Sequence, residues 1–257
     1  MLGTEERSKG RTAEAAPSRL FEVVDRVAGR LIERGEVSEA AEARLRHAEA
    51  SRKTRGARAE LWLQRGSRYA ACRLNNYQAG TTHQKHVKAA LVDFAQNISA
   101  EIDAGTNLLL TGPPGTGKDH LLAALAREAI TQGATLKWTS GVKLFARLRD
   151  DIEAHAMERE TVREFVKPHV LWISDPIWDG QPLTRQQRLK LGEIVDERYN
   201  FCRAIWISIN AKNSHDAIEC MGGALVDRLR HGALSLACDW PSFRQPRSQG
   251  RNGGKSR

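Results

Sequence analysis

Gly112-Pro113-Pro114-Gly115-Thr116-Gly117-Lys118 is the stretch whose residue types and spacing could do chemistry. An apolar run, Leu108-Leu109-Leu110-Thr111, leads into it, and a helical pattern, His120 to Arg127, leads out. A glycine-rich turn between strand and helix that closes on a lysine fits a phosphate-binding loop. Glycines lack the Cβ that would stop successive backbone N–H groups from turning inward on one anion. A helix starting near Lys118 aims its positive end at the same point. Lys118 then supplies a point charge for the β and γ phosphates. The candidate nucleotide ligands are Gly112, Pro113, Pro114, Gly115, Thr116, Gly117, Lys118, Asp119 and His120. A bare glycine turn, the alternative, would leave the lysine and both flanking elements without a reason.

One position breaks the pattern. The residue after the lysine is ordinarily Ser or Thr, whose hydroxyl touches Mg²⁺; here it is Asp119. A carboxylate can bind Mg²⁺, yet it also adds negative charge beside the phosphates, so nucleotide binding is better supported than hydrolysis. Such a site also needs an acid at the end of a neighbouring strand for the metal, often with a second carboxylate beside it as general base. Val170 to Ile173 is the apolar run that could lead to them, and Ser174-Asp175-Pro176 follows. Either Ser174 stands at the metal acid and Asp175 at the base, or Asp175 is the metal acid and Pro176 stands at the base. In both cases the acidic pair is broken, and slow or absent turnover is expected. Asp119 and Ser174 having exchanged roles would keep one carboxylate and one hydroxyl on the metal. The candidate metal ligands are thus Asp119, Ser174 and Asp175. Asn210, at the exit of the strand Ala204 to Ile209, is a candidate to orient water near the γ phosphate.

These residues need elements to hold them. Strand patterns alternate with helical ones five times: Leu108 to Thr111, Ala134 to Thr139, Val170 to Ile173, Ala204 to Ile209 and Leu234 to Cys238. That alternation predicts a five-stranded parallel sheet flanked by helices. Ligands of such sheets sit at the carboxyl ends of the strands, where the loop, Asp175 and Asn210 all fall. Upstream, residues 1–17 read as disordered. Residues 18–67 read as a helical extension, one helix from Ser18 and a second from about Ser38 to Leu63. That second helix is either a solvated arm or a partner-docking one. Residues 64–84 read as a linker, and Lys85 to Glu101 as one helix. Residues 68–244 form the nucleotide-binding domain, and 245–257 a basic disordered tail.

Composition sets the outer bounds. The 257 residues carry a net charge of +9, which makes an acidic polymer, nucleic acid above all, a reasonable partner. No apolar run is long enough to span a bilayer, and the charged start lacks a signal-peptide core, so a cytoplasmic protein is expected. The four cysteines, Cys72, Cys202, Cys220 and Cys238, form no C-x-x-C pair, which argues against a zinc site or a disulfide framework.

The order GPPGTGKDHLLAALA, VLWISDP, IWISIN and LVDRLRHGALSLACDWPSFR resembles the DnaC/IstB branch of the AAA+ ATPases over about residues 68–244. The most specific part is Asp227-Arg228-Leu229-Arg230, an apolar strand, and Asp239-Trp240-Pro241-Ser242-Phe243-Arg244. The resemblance implies a P-loop NTPase fold without a C-terminal lid, and ATP with Mg²⁺. It makes Lys118 the phosphate lysine, Asn210 the sensor and Arg228 a finger toward a neighbouring subunit; with Asp175 from the residue reading above, these are the candidate catalytic residues. The partners it implies are a replicative helicase and single-stranded DNA, or a transposase and duplex DNA, in an ATP-dependent homo-oligomer. A catalytically inactive nucleotide-binding scaffold is the third reading. Loaders of this branch often carry an N-terminal cysteine cluster, and residues 1–67 contain no cysteine.

Overall fold

A computed structural model describes residues 39–153, 158–177, 180–211 and 214–244. The expected disordered start, the helix from Ser18 and the basic tail lie outside them. By compactness the chain divides into Met1–Arg52 and Lys53–Arg257. The described part of the first unit is residues 39–52, the start of helix α1 (Glu39–Arg65). Its Ala, Glu and Arg content favours a helix through intrinsic propensity.

The second unit holds the sheet. Five strands, β1 (Leu108–Thr111), β2 (Leu136–Ser140), β3 (Val170–Ser174), β4 (Ala204–Ile209) and β5 (Leu234–Ala237), run in the order β2-β3-β4-β1-β5. Every pairing is parallel. Strand β1 lies between β4 and β5, so the loop that follows it opens at the centre of the sheet. The parallel arrangement needs helices on both faces, and side chains alternate accordingly. Leu108, Leu110, Val170, Trp172, Ala204 and Trp206 face one cluster, built with α2 (Thr82–Gln96), α3 (Ile98–Asp103) and α4 (Lys118–Thr131). Leu109, Leu171, Ile173, Ile205 and Ile207 face the other. That second cluster is built with α5 (Gly141–Glu153), α6 (Glu158–Val166), α7 (Arg185–Asn200), α8 (Ser214–Met221) and α9 (Gly223–Arg230).

Two local expectations change. The helix read as continuous from Lys85 to Glu101 breaks at Asn97, whose Nδ2 donates to the Asp93 carbonyl at 3.2 Å; asparagine competes with the helical backbone in this way. The stretch read as a linker, 64–84, is packed structure. Cys72 and Tyr77 are buried in the first cluster, with Tyr69, Leu74 and Ala79 against it. Arg198 is wholly buried on α7. Its guanidinium donates to the carbonyls of Phe165, Val166, Pro168, His169 and Ala204 at 2.6–3.1 Å, tying the α6–β3 turn to the start of β4. Burial pulls its pKa down to about 9.

Candidate functional site

The glycine loop is built by its surroundings. Gly112, Gly115 and Gly117 all have positive φ, at 144°, 85° and 89°, a conformation that costs a residue with a Cβ. Space forbids a Cβ as well. At Gly112 it would meet the Cys238 carbonyl at 2.2 Å, and at Gly115 the Ser242 hydroxyl at 1.9 Å. The chain after β5 therefore lies directly on the loop. Phe243 N donates to the Gly115 carbonyl at 2.9 Å. The buried Thr116 carbonyl accepts from Trp240 Nε1 at 2.8 Å and from Tyr77 Oη at 3.1 Å. Burial raises the Tyr77 pKa, which keeps it a donor. The DWPSFR ending thus braces the loop, a job its sequence does not announce.

Lys118 opens helix α4 after Gly117 in the left-handed conformation. Its Nζ donates to Gly112 O at 2.7 Å, Pro113 O at 2.9 Å and Asn210 Oδ1 at 2.9 Å. Burial lowers its pKa, opposed chiefly by the Asp175 carboxylate. Asn210 in turn hydrogen-bonds Asp175, so the amide bridges lysine and acid. Asp175 is itself left-handed, φ 47°, with its N–H on the Ser208 carbonyl at 2.9 Å. Burial, then the nearby Asp119 charge, push its pKa up to about 6 against the pull of Lys118.

A cleft of about 1120 Å³ gathers these groups. It is lined by Pro113, Pro114, Gly115, Gly117, Lys118, Asp119, His120, Asp175 and Asn210 among the expected residues. Tyr69, Asn76, Tyr77, Ser208, Phe243 and Arg244 add to it. His120 Nε2 lies 3.0 Å from the Arg73 carbonyl and its ring meets Tyr77 edge-on, which fixes the wall upstream of the loop. Gly112, Thr116 and Ser174 stand behind the lining. Arg228 is not in the cleft. It lies on α9, its Nε 2.6 Å from Asp196 Oδ1 on α7, with both side chains nearly half exposed.

Asp119, Ser174 and Asp175, expected as metal ligands, meet a different arrangement. Strands β3 and β4 pair Ser174 with Ser208, and both hydroxyls donate to Asp119 Oδ1, at 3.1 and 2.8 Å. Ser174 Oγ also accepts from Trp138 Nε1 at 3.0 Å. Asp119 Oδ2 is ion-paired with Arg65. Oδ1 has two donors and Oδ2 has a guanidinium, so Asp119 and Ser174 do not fit a Mg²⁺ ion as they stand. Asp119 and Asp175 both line the cleft, and of the two it is Asp119 that the Arg65 guanidinium holds.

Arg65, Ser208, Tyr77 and Trp240 carry weight that sequence reasoning did not give them. The one signal for Arg65 is indirect: an acid where a hydroxyl belongs calls for a counter-charge. Ser208 is the polar residue of an otherwise apolar strand, and that is its signal in the sequence.

The fold and the site together define a phosphate-loop nucleotide-binding protein of the AAA+ kind. The family model described as "IstB-like ATP binding protein" matches residues 37–250. The chain belongs to that family. It is 24% identical over 181 residues to the replicative helicase loader DnaC of Buchnera aphidicola subsp. Acyrthosiphon pisum, covering 69% of this chain and 71% of that one. To DnaC of Escherichia coli K12 it is 22% identical over 174 residues, 67% of this chain and 69% of that one. Among solved structures, the crystal structure of the DnaC helicase loader superposes with a TM-score of 0.60 at 21% identity, covering 67% of this chain and 99% of that one. Among the described residues no helix is long and apolar enough to cross a membrane.

Proposed function

We propose that this chain is an ATP-binding helicase loader that brings a replicative helicase to single-stranded DNA and hydrolyses ATP slowly. Convergence carries the reading: Lys118, Asp175 and Asn210 meet in one cleft beneath a braced phosphate loop, in a chain whose relatives include proteins named helicase loaders. In this reading Lys118 grips the β and γ phosphates and Asn210 senses the γ phosphate. Asp175 is the base, since Ser174 occupies the strand end that faces Asp119. Slow turnover follows from Asp119 and Ser174 being spent on each other. ATP joins subunits, and Arg228 leaves Asp196 to reach the neighbour's nucleotide; an exposed pair of this kind holds by only about 0–1 kcal/mol. The basic surface holds single-stranded DNA through phosphates, so binding weakens steeply with salt. The family name favours a second reading, a transposition helper that acts on a transposase.

Calorimetry with ATP tests the core of it. Lys118→Ala weakens binding at least about tenfold, a loss of about 1.4 kcal/mol or more. An affinity that Lys118→Ala leaves untouched refutes the site. Capture on a purified hexameric helicase, with and without ATP, tests the partner; ATP-dependent capture on a transposase alone gives the second reading.

A further inference from the structure

We infer that this site holds nucleotide without a divalent cation, because the Arg65 guanidinium occupies the Asp119 carboxylate that would otherwise help to bind Mg²⁺. The inference rests on the nucleotide-binding reading above. In an ordinary loop the metal is kept by a hydroxyl after the lysine and an acid at the neighbouring strand end. Here the two residue types are exchanged, Asp119 for the hydroxyl and Ser174 for the acid, and they bond each other at 3.1 Å. The exchange alone would leave a carboxylate and a hydroxyl for a metal. Arg65 decides otherwise, because its guanidinium already sits on Asp119 Oδ2.

Arg65 is built into that position. Its side chain is 11% exposed. The guanidinium lies 3.6 Å above the Tyr69 ring, with Trp138 at 4.7 Å and Trp172 at 5.4 Å. Aromatic faces hold a weakly hydrated guanidinium well. The helix that carries it is anchored through buried Leu61, a hydrogen bond from Arg58 to Thr131, and Trp62 facing Arg127. An incoming Mg²⁺ would have to break a largely buried charge-assisted pair and leave the guanidinium among indole rings. It would then find Asp119 Oδ1 already holding two hydroxyl donors. A strongly hydrated ion that dehydrates reluctantly gains little there. Arg65 offsets Asp119, and Lys118 lies within the field of Asp175, so the two carboxylates are already answered by cations of the chain itself.

Affinity for ATP, measured by calorimetry in excess Mg²⁺ and in excess EDTA, tests this. In the native protein the two dissociation constants agree to within about threefold. Arg65→Met converts the site: binding in EDTA falls by about tenfold or more, and Mg²⁺ restores most of it because Asp119 is released to coordinate the ion. A native protein that loses about tenfold or more in EDTA overturns the inference while leaving the nucleotide reading intact. Equal loss in both media for Arg65→Met overturns it too, since Arg65 then acts through packing alone. No ATP binding in either medium overturns both. The native-protein comparison stands even if Arg65→Met fails to fold.

Discussion

Replacing Asp175 by Asn should stabilise the ligand-free protein, and by an amount that grows with pH. In the folded chain burial and the Asp119 charge lift the Asp175 carboxyl from 3.8 to about 6. The folded state therefore holds this proton more tightly than the unfolded state. Below the unfolded value both states are protonated and the group contributes nothing. Between the two values the unfolded chain ionises and the folded chain resists, so stability falls as pH rises. Above about 6 the full penalty is present, about 3 kcal/mol. At about pH 5 roughly half of it has developed. Asn has the same shape and no charge, and it tolerates the left-handed φ of 47° better than most residues. Its side-chain oxygen still accepts from Asn210. Thermal unfolding followed by circular dichroism from about pH 5 to pH 8 should show a gap between variant and native protein that widens to about 6–12 °C. A gap that is flat with pH, or a native protein that is the more stable at pH 8, would refute the assignment of this buried charge.

Three further outcomes follow from other parts of the fold. Arg198→Met leaves carbonyls of five residues without their donor, and urea unfolding should register a loss of about 4 kcal/mol or more; a loss under about 1 kcal/mol would show that water replaces the guanidinium. Tyr77→Phe and Trp240→Phe each remove one of two donors to the Thr116 carbonyl. Each alone should cost about 1 kcal/mol, and the double variant more than the sum, because only then is the buried carbonyl orphaned. Gly115→Ala should weaken ATP binding severely, since the new methyl meets the Ser242 hydroxyl; Ser242→Gly in the same chain relieves the clash but leaves the φ strain, so calorimetry should show only partial recovery.

Much of this architecture was legible because its signals are local and periodic. Apolar runs bounded by glycines and charged helices give the five strands, and the parallel sheet follows from their alternation. The glycine loop and Lys118 are a contiguous motif, and Asp175 and Asn210 could be placed because strand ends converge in such a sheet. What escaped depends on contacts distant in sequence. Arg65 and Asp119 stand far apart along the chain, and nothing in a polar, mixed-charge helix marks one arginine among several. Tyr77 lies in a stretch whose lack of periodicity reads as linker, yet a buried hydroxyl fixes it on the loop. Ser174 and Ser208 meet only through the β3–β4 register. The roles left open for Ser174 and Asp175 turn on where β3 ends, and apolar length alone does not locate that residue.

The brace on the phosphate loop has a consequence for biosynthesis. Trp240, Ser242 and Phe243 leave the ribosome more than a hundred codons after the loop they clamp. A nascent chain that has not yet released them carries the motif without its clamp. Nucleotide capture then begins only when nearly the whole domain has emerged, and fragments ending before Trp240 should be blind to ATP even where their sheet has formed.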